Sequence, residues 1–376
     1  MAGADELSPT DLGAAIENED HAEIRRIVAA GVAPDARIEP RETPLTLAAG
    51  CGLPDTVRLL VELGADVNYR AASGADDTGF ATPLGAAVQV RASRCVAVLL
   101  ELGADPELGN DGRSPLFDAA DAQDIESVRH LIGAGADPFA IGYKMYMPFS
   151  RAAGHENFAL MEELYVAMRR SDRFQESMRL CLRSVVYDES VPSVLWILER
   201  HPRLYNERET TTGEYPVQGA ASRGNVALIR LLASMGPLEF RSSPEGRTAL
   251  MSAVLQGGPE AVRALIEAGD DVHAREHERG YTPLFHACYL QLPYRRHAEI
   301  VTILCDHGAD VNARDREGLT PVMKAVATGL PDVVEALLRH DPDLRLRDEA
   351  GRDVFDLARE RGSAEIIRLL DARRGS

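Results

Sequence analysis

The chain has 376 residues, a formal net charge of −18 and a hydrophobic share of 45%, with aromatics at only 5%. So acidic a balance argues against a nucleic-acid partner, because binding a phosphate backbone needs a basic face. No uninterrupted apolar run approaches the ~18 residues that would mark a membrane span, so no membrane partner is expected either.

Residues 1–10 are expected to be flexible, and the start, MAGADELSPTDL, lacks the basic and apolar regions of a signal peptide. Residues 11–37 carry a polar-rich helical pattern, as an end unit with one face in water would. The stretch 41–70 then reads as two short antiparallel helices. Thr43 is placed to cap the first and Pro44 to open it. Gly50 and Gly52 break that helix, and Pro54 and Asp55 start the next. Val57, Leu59, Leu60 and Leu63 form the second helix's buried side, and Gly64 can take the left-handed conformation that ends it. Residues 71–80, AASGADDTGF, read as a long turn or a binding finger. The pattern is regular over 81–142 and irregular over 143–209. In that irregular part the helix after Asn157 should run long, the stack should bend, and Trp196 reads as a core filler. Regularity returns over 210–370, with extra residues at 291–296 and a polar closing helix. Residues 371–376 are expected to fray.

The unit of 41–70 recurs. Its proline, or the equivalent position, falls at Pro44, Pro83, Pro115, Pro148, Cys181, Pro216, Ala249, Pro283, Pro321 and Val354, with Asp11 as the position before them. The intervals run from 32 to 39 residues, with 33 the commonest. The second helix repeatedly ends in segments such as LLELGADPEL, LIGAGADPFA and LCDHGADVNAR. A helix pair of this kind cannot bury its own apolar face and needs copies of itself on both sides. The TPL segments and this period resemble the ankyrin-repeat family over residues 11–370. The resemblance implies an all-α solenoid, a single array of about eleven stacked helix-turn-helix units with a concave face. One departure recurs. The family's histidine after TPL is absent, and Thr46, Gly85, Phe117, Ser150, Met251, Phe285 and Met323 stand there instead.

No residue set with catalytic spacing is present. Neither lysine, Lys144 or Lys324, lies in a phosphate-binding loop motif, and no GxSxG, HExxH or GxGxxG occurs. His273, His277, His286 and Cys288 lie near one another in sequence, but their spacing matches no usual zinc pattern, so no metal or cofactor is expected. The five cysteines are scattered without a CxxC pair, which points away from disulfides and towards a reducing, cytoplasmic setting. Export by a route that uses no such leader is compatible with the same sequence. Nearly all the basic residues are arginine, which reads first as codon bias and second as selection for bidentate contacts.

The resemblance implies a protein-binding scaffold, expected to be a monomer before it meets its partner. The alternatives are an acidic inhibitor that masks the basic site of one enzyme or toxin, and an enzyme whose site the motifs miss. In the family pattern the partner-facing positions are the turn tips before TPL and the ends of the first helices. Carried onto this chain they hold Tyr143, Lys144, Tyr146, His155, Tyr187, Glu214, Arg223, Arg247, Arg279, Tyr281 and Tyr289. Tyr294, Arg295 and Arg296 lie in the adjoining insertion. Tyrosine and arginine are the types most enriched at binding hot spots. Early units hold poorer anchors at these places, such as Glu39, Thr78, Ala81 and Asp121.

Overall fold

The structure, a computed structural model, describes residues 7–39, 42–72, 80–142, 146–240, 246–289 and 296–374. Among these the chain forms twenty-two α-helices and one two-residue strand pair. It divides into two compact units, Met1–Cys181 and Leu182–Ser376.

The first unit pairs α1 (Pro9–Glu17) with α2 (His21–Ala29), α3 (Pro44–Gly50) with α4 (Pro54–Glu62) and α5 (Pro83–Gln89) with α6 (Ser93–Glu101). It continues with α7 (Pro115–Asp121) on α8 (Ile125–Gly133) and α9 (Pro148–Gly154) on α10 (Phe158–Met168), and it opens α11 (Phe174–Tyr187). First helices stack on first helices, α1 on α3 and onward to α9, and second helices stack from α4 to α10. The second unit follows α11 with α12 (Val191–Arg200), then α13 (Pro216–Arg223) with α14 (Val226–Met235) and α15 (Ala249–Gln256) with α16 (Pro259–Glu267). The pairs α17 (Pro283–Ala287) with α18 (His297–Asp306), α19 (Pro321–Thr328) with α20 (Pro331–Leu338) and α21 (Val354–Arg361) with α22 (Ala364–Arg374) complete it. Again first helices stack from α13 to α21 and second helices from α12 to α22.

Local chemistry explains the repeat. Thr43 caps α3 by accepting from the Thr46 amide, and Pro44 is the first helical residue. Thr46, standing where the histidine was expected, accepts from the Thr43 amide at 2.6 Å and donates to the Thr43 carbonyl at 2.9 Å. Its hydroxyl therefore closes the turn that the missing imidazole would have held. Gly64 follows α4 at φ +99°, a backbone region costly for any residue with a Cβ. The aspartates of the GAD segments, and Asp343 at the equivalent place in Asp341-Pro342-Asp343, bend the next turn. The Oδ1 atoms of Asp66, Asp105, Asp137, Asp310 and Asp343 accept from the amide two residues on. Between them Leu45, Leu60, Leu84, Leu99, Leu116 and Leu131 are fully buried or nearly so, each contributing roughly 1.5–3 kcal/mol relative to exposure.

Three readings need correction. The counterpart of Pro44 in the first pair is Pro9, not Asp11. Ser8 caps α1, Pro9 opens it, and Asp11 is the acidic half of the capping box. Cys181 does not open a helix. It lies buried in the middle of α11, because Phe174 and Met178 are apolar enough to extend the buried face upstream. Trp196 is not a core filler. It is only partly buried, and the Arg200 guanidinium sits 3.7 Å from its ring centroid. The α12 positions that reach the interior are Val194, Ile197 and Leu198. The expected long helix after Asn157 is α10, at 11 residues against nine for α2, α4, α6 and α8. At the start of the 71–80 loop, Ala71–Ala72 pairs antiparallel with Phe80–Ala81. The rest of that loop and most of the 291–296 insertion lie outside the described residues.

Candidate protein-binding surface

Tyr143, Lys144, Tyr294 and Arg295 lie outside the described residues. The other ten positions fall into three clusters and one outlier.

In the first unit, Tyr146 precedes α9 and His155 caps its C-terminal end. Arg151, one turn before His155, places its guanidinium 5.7 Å from the Tyr146 ring centre and forms an ion pair with Asp121. His155 is exposed and 3.4 Å from an Arg151 nitrogen. Asp121, which the sequence placed among the poorer anchors, thus holds Arg151 against the tyrosine.

In the second unit, Tyr187 and Glu214 bind each other, with the tyrosine hydroxyl donating at 3.0 Å. Arg183 and Arg223 each lie 5.4 Å from the Tyr187 ring centre. Burial, and then the nearby Glu214 carboxylate, hold the Tyr187 hydroxyl above its ordinary pKa, so it remains a neutral donor. Tyr187 and Glu214 are half-buried, so they are joints within the unit as much as contact points, while Arg223 is exposed.

The third cluster is the densest. Tyr281, just before α17, stacks on Phe285 at 5.3 Å and lies 6.0 Å from Tyr289. Arg279 sits 5.8 Å from the Tyr281 ring and 5.9 Å from that of Tyr289. Lys324 of α19 approaches the same rings at 5.2 and 5.1 Å. Tyr289 is 41% exposed, whereas Tyr281 is 4% exposed. The sequence reading put both tyrosines on the partner-facing side; the structure makes Tyr281 the floor that supports Tyr289. Arg247 and Arg279 stand exposed around a cavity of about 250 Å³ whose wall also includes Leu255, Glu276, Glu278 and His286. Lys324 was missed. Its one available signal was rarity, as one of only two lysines in the chain.

Arg296 is the outlier. It caps α18 and pairs with Glu260 at 2.8 Å and Glu299 at 2.5 Å, on the second-helix side. It joins a series of ion pairs between successive second helices, with Arg25–Glu62, Arg58–Glu101 and Arg129–Glu163.

Of the five thiols Cys51 is exposed, and the other four are held back by burial. Burial raises Cys95 to about 11 and Cys181 and Cys305 to about 12, and it drives Cys288 upward as well, so the reactive thiolate is suppressed near neutral pH. No helix among the described residues is long and apolar enough to cross a membrane.

Comparison with known proteins agrees with the fold. The family model for three consecutive ankyrin repeats matches at 182–276, 245–315, 271–348 and 296–373, and the single-repeat model matches at 41–72 and 111–143. The chain belongs to the ankyrin-repeat family. It is 38% identical over 131 residues to cyclin-dependent kinase 4 inhibitor B of Bos taurus, covering 35% of this chain and 95% of that protein. It is 35% identical over 131 residues to the B-cell lymphoma 3 protein homolog of Mus musculus, covering 35% of this chain and 28% of that protein. A longer match, 24% identical over 343 residues, joins 87% of this chain to 18% of the E3 ubiquitin-protein ligase KEG of Arabidopsis thaliana. The chain thus spans nearly all of the first relative but less than a third of the other two.

Proposed function

We propose that this chain is a non-enzymatic scaffold or adaptor that binds another protein through the turn tips and first helices of its second unit, centred on Tyr289. The observation that carries the reading is the third cluster. An exposed tyrosine is backed by a buried one and flanked by two exposed arginines beside a cavity. Aromatic and arginine anchors over a rigid floor keep the ordering cost of binding low. Tyr146 with Arg151 is a second candidate contact on the first unit. The chain is read as a cytoplasmic monomer before binding.

A narrower reading, a dedicated acidic inhibitor, draws support from the charge of −18 and from the similarity to a cyclin-dependent kinase inhibitor. Catalysis, by contrast, has no residue constellation to carry it; the ligase it resembles is matched over a small fraction of its length.

Co-purification identifies the partner, and single substitutions then test the surface. Tyr289→Ala should leave the fold intact and weaken partner binding by about 2 kcal/mol. Unchanged affinity in folded Tyr289→Ala and Tyr146→Ala would place the binding surface elsewhere. Tyr281→Ala should instead lower stability by roughly 3 kcal/mol, the usual cost of emptying a buried aromatic site.

A further inference from the structure

The floor of the cavity beside Tyr289 is chemically distinct from its rim. At the rim stand Arg247, Glu278 and Tyr289, all exposed. At the floor are Glu276, His286 and Tyr281, at 7%, 5% and 4% exposure. The Nε2 atom of His286 is buried and has no hydrogen-bond partner among the described residues. The Glu276 carboxylate lies 3.9 Å from that nitrogen, too far for a hydrogen bond. A buried polar atom left without a partner is costly, and His286 forms part of the cavity wall.

Two acceptors 3.9 Å apart can be bridged by one nitrogen placed at about 2.8 Å from each, provided that it carries at least two hydrogens. From this geometry we propose that the cavity is a socket for the unmodified ammonium group of a lysine on the partner protein, donating to the Glu276 carboxylate and to Nε2 of His286. The proposal rests on the protein-binding reading and names the chemistry of one contact within it.

Three further observations favour a lysine. Burial, with the Arg247 charge second, lowers the His286 pKa to about 4. The imidazole is therefore neutral near physiological pH, and the tautomer with its proton on Nδ1 presents a lone pair at Nε2. Arg279 and Lys324 are already disposed over the tyrosine rings, so the aromatic faces are not an open cage for a quaternary ammonium. Finally, the acidic chain draws a basic partner towards it. Two arginines of the lining, Arg247 and Arg279, oppose an incoming cation, and the two carboxylates, Glu276 and Glu278, offset them.

The test uses the full chain labelled with ¹⁵N at histidine and a set of end-capped amino acids as probes. Capped lysine should shift the His286 ring nitrogens saturably, while Nε-acetyl-lysine, trimethyl-lysine and capped glutamate should not. Glu276→Gln, which preserves shape, should weaken the lysine response at least tenfold. Glu278→Gln, at an exposed position, should weaken it less. A larger response to glutamate than to lysine would overturn the proposal, as would a lysine response unchanged in Glu276→Gln or no response at all. If Tyr289→Ala weakens the partner while capped lysine leaves His286 unmoved, the surface stands and the lysine socket is wrong. If capped lysine binds as expected while Tyr289→Ala leaves the partner unaffected, the socket stands and the wider surface is wrong.

Discussion

Asp270 occupies the place that alanine holds in the GAD segments, and the substitution has a measurable cost. Its carboxylate, 5% exposed, accepts from the amides of Leu250 and Asp271 at 2.7 and 2.8 Å. It thereby ties the turn after α16 to the start of α15. Burial outweighs these bonds and raises its pKa from 3.8 to about 7. A folded-state pKa above the unfolded one contributes stability that is fully present below pH 3.8 and lost as pH rises through about 7. Asp270→Asn should therefore remove part of the decline in stability between about pH 5 and about pH 8. Urea unfolding at those two values checks this, and parallel pH profiles for the two proteins would refute it. The arginines contribute differently. Arg275 donates to the Arg314 carbonyl at 2.7 Å, Arg314 to those of Arg347 and Gly318, and Arg347 to that of Gly351. The bonds to Arg314 and Arg347 join successive turns and those to Gly318 and Gly351 close a single turn, a use of arginine that neither codon bias nor carboxylate pairing had suggested. Lysine is a point donor without the fork, so Arg314→Lys should cost about 1 kcal/mol in chemical denaturation; an equal midpoint would show the bonds to be incidental.

Among the described residues, the turn between the helices of a pair uses one residue with positive φ, and the sequence supplies it unevenly. Gly52, Gly224, Gly257, Gly329 and Gly362 serve in some pairs, while Glu19, Arg91, Gln123, Glu156 and Glu189 do so in others, at φ 52° to 64°. The left-handed region costs such residues roughly 1–2 kcal/mol, and glycine gives back part of that gain as unfolded-state entropy. Glu189→Gly in the α11–α12 turn should therefore stabilise the protein by about 0.5 kcal/mol, seen as a higher thermal midpoint; a lower midpoint would contradict the reading. The helices themselves were legible because capping residues, prolines and apolar spacing all agree at places such as Thr43, Pro44 and Leu45. α11 was not, since no TPL segment marks its start, and the period counted from its neighbours landed on Cys181. Trp196 misled for another reason: its size suggests burial, but its position on α12 faces partly outward. The same irregular region lacks a glycine after α12, where His201 leads into a 3₁₀ turn at Pro202–Asn206. Stability in stacked repeats comes from neighbouring interfaces. Native-state hydrogen exchange should find lower protection in α9–α12 than in α17–α20, and equal protection would count against an energetic weak point there.

At the scale of the whole chain, the net charge of −18 and the clustering of tyrosine and arginine in the second unit bear on association in different ways. Long-range charge governs encounter and is screened by salt, while buried aromatic anchors govern dissociation. An acidic inhibitor should lose association rate steeply as ionic strength rises; a scaffold held by Tyr289 and its neighbours should lose little and should instead dissociate faster in the Tyr289→Ala variant. The binding positions were only partly legible. The family pattern located the turn tips, but which tyrosine is exposed depends on how α17 packs, and Lys324 joins the cluster from a helix 35 residues beyond Tyr289. The central claim concerns where the partner sits, and a hydrogen-exchange footprint of the complex tests it most directly. The account predicts slowed exchange at 276–289 and at the start of α19, with the outer second helices α16, α18 and α20 unchanged. Protection confined to those second helices, with 276–289 exchanging as in the free protein, would contradict it.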